Sequence, residues 1–228
     1  MDRKCQLIVS LDVEKKKDFV DLIDATKEVA DIYKVGLVPY TALGDQAVTI
    51  LKKKKKKVFL DLKFLDIPNT MVKASLNMMS RGIDMLDFHL SAEEEALSLT
   101  LDKIRAQARK QKFQLPLFLG VTVLTSVAAK SKITNFVLSL SEKAVSAGFN
   151  GVVLSGQEAP YIRRKIGSGF ILVCPGIRLK DSADDQKRVV TPAKIKNIAD
   201  YIVVGRPVYN AKSPKEIAEK IIRELETR

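Results

Sequence analysis

The chain has 228 residues, 46% hydrophobic and 29% charged, which excludes a disordered or collagen-like polymer and allows a sizeable core without metal or disulfide staples. Lys and Arg outnumber Asp and Glu to a formal net charge of +12, which favours anionic ligands without naming one. Two cysteines, Cys5 and Cys174, argue against a secreted disulfide scaffold and fit a reducing cytoplasm, and a single histidine, His89, makes Ser–His hydrolases and His-rich zinc sites poor fits.

Short apolar runs alternate with longer amphipathic ones. Leu7–Leu11 reads as a first strand; it is too short for a membrane span, and Asp12 ends it without a cleavage site for a signal peptide. Asp18–Ala30 carries Phe19, Leu22, Ile23 and Ala30 at helical spacing, and Ile32–Val35 follows as a strand. The lysine run Lys52–Lys57 precedes the strand Val58–Leu62; lysines at a helix end complement its dipole and stay in water. No aromatic interleaving accompanies the run, so it does not read as a specific nucleic-acid site. Met85–His89 and Pro116–Val123 are the next strands, then a helix over Ile133–Ala147, then strands at Gly151–Leu154, Ile171–Val173 and Tyr201–Val204. Thr191 and Ser213, each before a proline, are candidate N-caps, the second for a helix over Pro214–Leu225.

Continuous apolar runs of this length fit strands buried on both faces, as in a parallel sheet. Eight of them with intervening helices predict a single (β/α)8 TIM barrel spanning residues 1–228. The rival is an open doubly wound sheet, but its glycine-rich first turn is absent from Asp12-Val-Glu-Lys15. In a barrel of this class the active site lies at the C-terminal ends of the strands. The polar residues at those ends are Asp12, Lys34, Asp61 with Lys63, His89, Thr125 with Ser126, Arg178, and Gly205 with Arg206.

The most informative block is Phe59-Leu-Asp-Leu-Lys-Phe-Leu-Asp-Ile-Pro-Asn-Thr70. Asp61 and Lys63 are two apart on a strand, so both side chains should share a face. With Lys34 and Asp66 they would form an alternating set, Lys34–Asp61–Lys63–Asp66. Flanking carboxylates favour the protonated form of a buried lysine, and an oriented ammonium is a general acid. A structural ion-pair network is the plainer reading of the same residues. At the last strand, Gly205 permits close approach of a ligand and Arg206 offers a bidentate grip on phosphate; a loop glycine beside a surface arginine is the alternative. The polar stretch from Arg178 to Val189, which contains Gln186, reads as a solvated loop or a lid. Cys174 reads as a small buried apolar residue and His89 as a hydrogen-bonding structural one.

The Asp61–Thr70 block closely resembles the signature of the orotidine 5′-phosphate decarboxylase family, in its free-standing bacterial form. The resemblance extends over nearly the whole chain, through Leu11-Asp12, Lys34-Val-Gly36, Val123-Leu-Thr-Ser126, Pro175-Gly-Ile-Arg178, Gln186–Pro192 and Val204-Gly-Arg206. Two departures are Leu65, where members commonly have His, and Glu93–Glu95, where a glycine-containing turn is usual. The resemblance implies cofactor-free, metal-free conversion of orotidine 5′-monophosphate to uridine 5′-monophosphate, with Lys63 as the acid that protonates C6. It implies Asp61 against the substrate carboxylate, Lys34 and Asp12 at the ribose, and Thr125 and Ser126 at the pyrimidine edge. Arg178, Gln186, Gly205 and Arg206 would serve the phosphate and lid, and Asp66 and Thr70 would come across a homodimer interface. A cytoplasmic enzyme with no membrane partner and no specific nucleic-acid partner follows. Two other readings remain open on the residues: a Mg²⁺ site on Asp12, Asp61 and Asp66, as in metal-dependent sugar-phosphate relatives that lack the Ile67–Thr70 continuation, and a nucleotide-binding barrel without turnover.

Overall fold

The computed structural model describes residues 5–124, 133–179 and 189–227. In chain order the elements are β1 (Gln6–Ser10), α1 (Lys16–Thr26), β2 (Ile32–Gly36), α2 (Leu37–Leu43), α3 (Asp45–Lys53), β3 (Lys57–Phe64), α4 (Pro68–Met79), β4 (Met85–His89) and α5 (Glu94–Gln111). The second half continues with β5 (Leu117–Val121), α6 (Ile133–Ser146), β6 (Gly151–Val153), α7 (Ala159–Ile166), β7 (Ile171–Cys174), α8 (Pro192–Ile195), β8 (Tyr201–Val204), α9 (Arg206–Tyr209) and α10 (Pro214–Glu226). The strands pair in parallel in sequence order and β1 closes on β8, giving an eight-stranded (β/α)8 barrel. Each expected strand is present, with no end moved by more than two residues.

The helices follow the expected spacing with two corrections. The helix expected over Asp18–Ala30 starts at Lys16 and ends at Thr26, because the Val29 and Ala30 N–H groups both turn back to the Thr26 carbonyl before β2 begins. Thr191 and Ser213 do occupy N-cap positions of α8 and α10, but neither side chain makes a capping hydrogen bond. The fixed φ of Pro192 and Pro214 starts those helices instead.

Strand periodicity divides the barrel interior into layers. Ile8, Ile32, Phe59, Met85, Leu119, Val173 and Val203 form an apolar plug inside it. Two residues further along, the inward positions become Ser10, Lys34, Asp61 and Asp87 on β1 to β4, but stay apolar at Val121 and Val153 on β5 and β6. At this level the β1–β4 side is polar and the β5–β6 side apolar. A larger apolar cluster lies between strands and helices; in it Phe88 meets Phe64, Phe118 and Phe149 edge-on, with ring centroids 5.8, 6.2 and 5.9 Å away.

The lysine run is not simply solvated. Lys52, Lys54 and Lys56 reach Asp84, Asp24 and Asp31 at 2.9, 2.7 and 3.0 Å, at the end of the barrel opposite the site. These contacts tie the end of α3 and the α3–β3 turn to α1 and to the segments that precede β2 and β4. Among the described residues no helix is long and apolar enough to cross a membrane.

Candidate active site

The site begins with an irregularity in β3. Phe59 pairs with Met85 and Leu60 with Leu86, but the next partner of Phe88 is Phe64, so β3 carries extra residues across this stretch. Lys63 absorbs the excess with φ of 50°, a left-handed conformation that costs a non-glycine residue about 1–3 kcal/mol. Its backbone N–H, lost to the ladder, donates to Asp87 Oδ1 at 2.8 Å. Asp61 and Lys63 do meet, as an ion pair, but through this bulge and not through the plain two-residue repeat expected from a regular strand.

Lys34 sits between two acids, 3.1 Å from Asp12 Oδ1 and 3.1 Å from Asp61 Oδ2. Ser10 donates to Asp12 Oδ2 at 2.7 Å, holding the first acid in place. Burial alone would discharge Lys34, but Asp61 and Asp12 outweigh it and raise its pKa above the usual lysine value. Burial alone would also raise Asp61; Lys34, the neighbouring Asp87 carboxyl group and Lys63 outweigh it and hold Asp61 well below the carboxylate range. The result is a continuous chain, Asp12–Lys34–Asp61–Lys63. Gly36 leaves room for it, since a Cβ there would lie 2.7 Å from Lys34 Nζ and 3.1 Å from Asp12 Oδ1.

This chain lines a cavity of about 300 Å³ at the C-terminal mouth, together with Arg178, Gly205 and Arg206. Arg178 is buried and donates through Nη1 to the Ile177 carbonyl at 2.9 Å. Gly205 packs tightly, with Ser10 Cβ and Tyr209 Cε1 each 3.3 Å from where its Cβ would stand. Arg206 follows it at the start of α9.

Several expected residues lie elsewhere. Asp66 and Thr70 are exposed and do not line the cavity; Asp66 Oδ1 accepts the Ile67 N–H at 2.7 Å. Within one chain the alternating set therefore closes on Asp12, not on Asp66. Asp66 also stands apart from the Asp12–Asp61 pair, so a Mg²⁺ site using all three does not form within one chain, and Lys34 occupies the ground between the other two. Thr125, Ser126 and Gln186 lie outside the described residues. His89 is off the cavity lining, with Nδ1 2.8 Å from Ser91 Oγ and accepting the Ser91 N–H at 3.2 Å. Burial pushes the Cys174 thiol far up and that of Cys5 up to about 12, so neither is a nucleophile. Glu94 and Glu95 stand in the first turn of α5, where carboxylates complement the dipole.

Sequence reasoning missed Ser10 and Asp87, and it quoted Gly36 within Lys34-Val-Gly36 without giving it a role. Asp87 had a signal: it is an acid inside an otherwise apolar run, at the same strand parity as Met85.

A parallel barrel with a buried lysine–carboxylate chain on one wall and a glycine–arginine corner beside it defines a barrel enzyme that works through charge at its strand ends. A family model described as "Orotidine 5'-phosphate decarboxylase / HUMPS family" matches residues 5–221, and the chain belongs to that family. A curated protein of Carboxydothermus hydrogenoformans named orotidine 5′-phosphate decarboxylase is 39% identical, over 97% of this chain and 96% of that one. One of the same name from Nostoc sp. is 36% identical over 97% and 98%. The crystal structure of orotidine 5′-phosphate decarboxylase from Lactobacillus acidophilus superposes with a TM-score of 0.80 at 28% identity, covering 98% of this chain and all of that one (100%).

Proposed function

We propose that this chain is an orotidine 5′-monophosphate decarboxylase acting as one catalytic barrel, releasing uridine 5′-monophosphate and CO₂ in pyrimidine biosynthesis. The observation that carries the reading is the Asp12–Lys34–Asp61–Lys63 chain in the same cavity as Arg206. When the bond from C6 to the carboxylate breaks, its electron pair stays on C6. No carbonyl is placed to take that charge as an enolate, and the reading calls for no cofactor as electron sink. The charge is met by the Lys63 ammonium, which delivers its proton to C6 and regains one from solvent afterwards.

Asp61 faces the substrate carboxylate and orients Lys63 through their ion pair. Lys34 holds Asp61 and, with Asp12, takes the ribose hydroxyls. Arg206 grips the phosphate, Gly205 lets it approach the backbone, and Arg178 and Gln186 complete that end and the lid. Thr125 and Ser126 meet the pyrimidine edge. Phosphate binding far from C6 supplies energy that is used at the reacting carbon.

The same reading makes the enzyme a homodimer, with Asp66 and Thr70 completing the partner's site. It is supported by their position outside the cavity of their own chain. Leu37, Val38, Leu65 and Ile67 follow the ends of the adjacent strands β2 and β3 with 60, 42, 56 and 67% exposure, an apolar face suited to a second copy. A cytoplasmic location is supported by two free, buried cysteines.

The test is a decarboxylation assay on EDTA-treated protein, following orotidine 5′-monophosphate by ultraviolet absorbance. Rapid conversion is expected. Nucleotide binding without conversion would leave a binding barrel. Neither binding nor conversion would favour a metal-dependent sugar-phosphate enzyme.

A further inference from the structure

Asp87 is fully buried on β4, behind the charged chain and off the cavity lining. Its Oδ1 accepts the N–H of Lys63, the left-handed residue of the bulge, at 2.8 Å. Its Oδ2 has no hydrogen-bond donor within reach, yet the carboxyl group it faces is that of Asp61. Two ionised carboxylates in that arrangement repel, and Asp87 Oδ2 is left without a donor. One proton between them removes both problems. The charge count agrees: Lys34 and Lys63 already balance Asp12 and Asp61, so an ionised Asp87 would leave a buried negative charge in excess.

We propose that Asp87 is a positioning residue for Lys63, held as a neutral carboxylic acid that accepts the Lys63 N–H through Oδ1 and donates its proton from Oδ2 to Asp61. One side chain thereby fixes both members of the Asp61–Lys63 pair. It holds the lysine's left-handed backbone and supplies Asp61 with a third hydrogen bond beside those from the two ammonium groups, within a carboxylate's capacity. The charged groups facing it are Asp61 and Lys63 from β3; β5 sets Leu119 opposite and adds no charge. Burial, then the Asp61 charge, raise the Asp87 pKa well above its ordinary 3.8. The folded protein thus keeps a proton that the unfolded chain releases above 3.8, so the stability this gives declines as pH rises toward the folded value.

The inference rests on the decarboxylase reading only for its kinetic arm. Asp87→Asn keeps one acceptor for Lys63 N–H and one donor for Asp61. It is expected to retain kcat close to wild type, whereas Asp87→Ala loses about 10²-fold in kcat with a smaller change in KM. The infrared C=O stretch of a protonated carboxylic acid is expected in the wild-type protein at neutral pH and absent from Asp87→Asn. The melting temperature of Asp87→Asn is expected to rise relative to wild type as pH increases. A kcat loss in Asp87→Asn as large as in Asp87→Ala overturns the proposal, and so does an infrared difference without that band. If Asp87→Ala does not fold, the asparagine variant decides alone, a large kcat loss there being the overturning result. If the wild type does not turn over orotidine 5′-monophosphate, the decarboxylase reading falls while the infrared and melting arms, read on protein alone, still judge the proton.

Discussion

Lysine–aspartate pairs stand at both ends of β3. At the N-terminal end, Lys54 and Lys56 reach Asp24 and Asp31, whose side chains are 40 and 88% exposed. At the C-terminal mouth, Lys34 and Asp61 are each 12% exposed. The chemistry is the same and the consequences differ because water differs. At the bottom, solvent screens each pair, and such pairs contribute about 1 kcal/mol or less. At the top, Lys34 and Asp61 have both lost most of their hydration and depend on their neighbours. Breaking one there leaves an uncompensated charge, so the pairs are interdependent and hold fixed geometry. Lys–Asp proximity alone therefore says little about function; its burial and its place on a cavity say more.

Three substitutions would break or sharpen that contrast. The largest effect is expected from Lys63→Ala, which removes the proposed proton donor. Turnover should fall about 10³-fold or more while uridine 5′-monophosphate binding, read by titration calorimetry, stays largely intact. Near-normal turnover would remove Lys63 from the reaction. Gly36→Ala is intermediate and tests whether the top network tolerates movement. The new Cβ would meet Lys34 Nζ at 2.7 Å, and although a lysine tip is normally easy to displace, this one is pinned by two acids. We expect kcat/KM to fall roughly tenfold, with little change in melting temperature. An unchanged kcat/KM would mean that the top network is as yielding as the bottom. Lys54→Ala is the smallest. Unfolding free energy should change by about 1 kcal/mol or less, by an amount that shrinks in high salt, with kcat unchanged; urea titration at two salt concentrations measures it. A loss of turnover there would erase the distinction between the two ends.

Part of this was readable along the chain. Apolar runs such as Met85–His89 and Tyr201–Val204 fall where the strands are, because burial on both faces demands apolar residues in sequence, and the outer helices show their buried faces by spacing. Lys34, Asp61, Lys63, Arg178 and Arg206 were candidates because they end strands, and the structure brings them to one cavity. Ser10 was passed over, and Gly36 was quoted without a role, because neither carries a charge of its own to contribute. Their value lies in what stands next to them. Within one chain Asp66 is exposed and Asp12 stands beside Lys34, and only the path of the β3–α4 turn and the pairing of β1 with β2 decide this.

The sequence by itself determined the number and order of strands, the closed parallel architecture they imply, and most of the charged groups at its mouth. These depend on local periodicity and composition, which act over a few residues. Tertiary structure alone decided which charges touch. Closure of β1 onto β8 and the neighbouring registers of β2 and β3 put Asp12, Lys34 and Asp61 in one line. The shifted register of β3 on β4 turned Lys63 into a left-handed conformation and aimed its N–H at Asp87. Registers and bulges arise between strands far apart in sequence, and no local pattern encodes them.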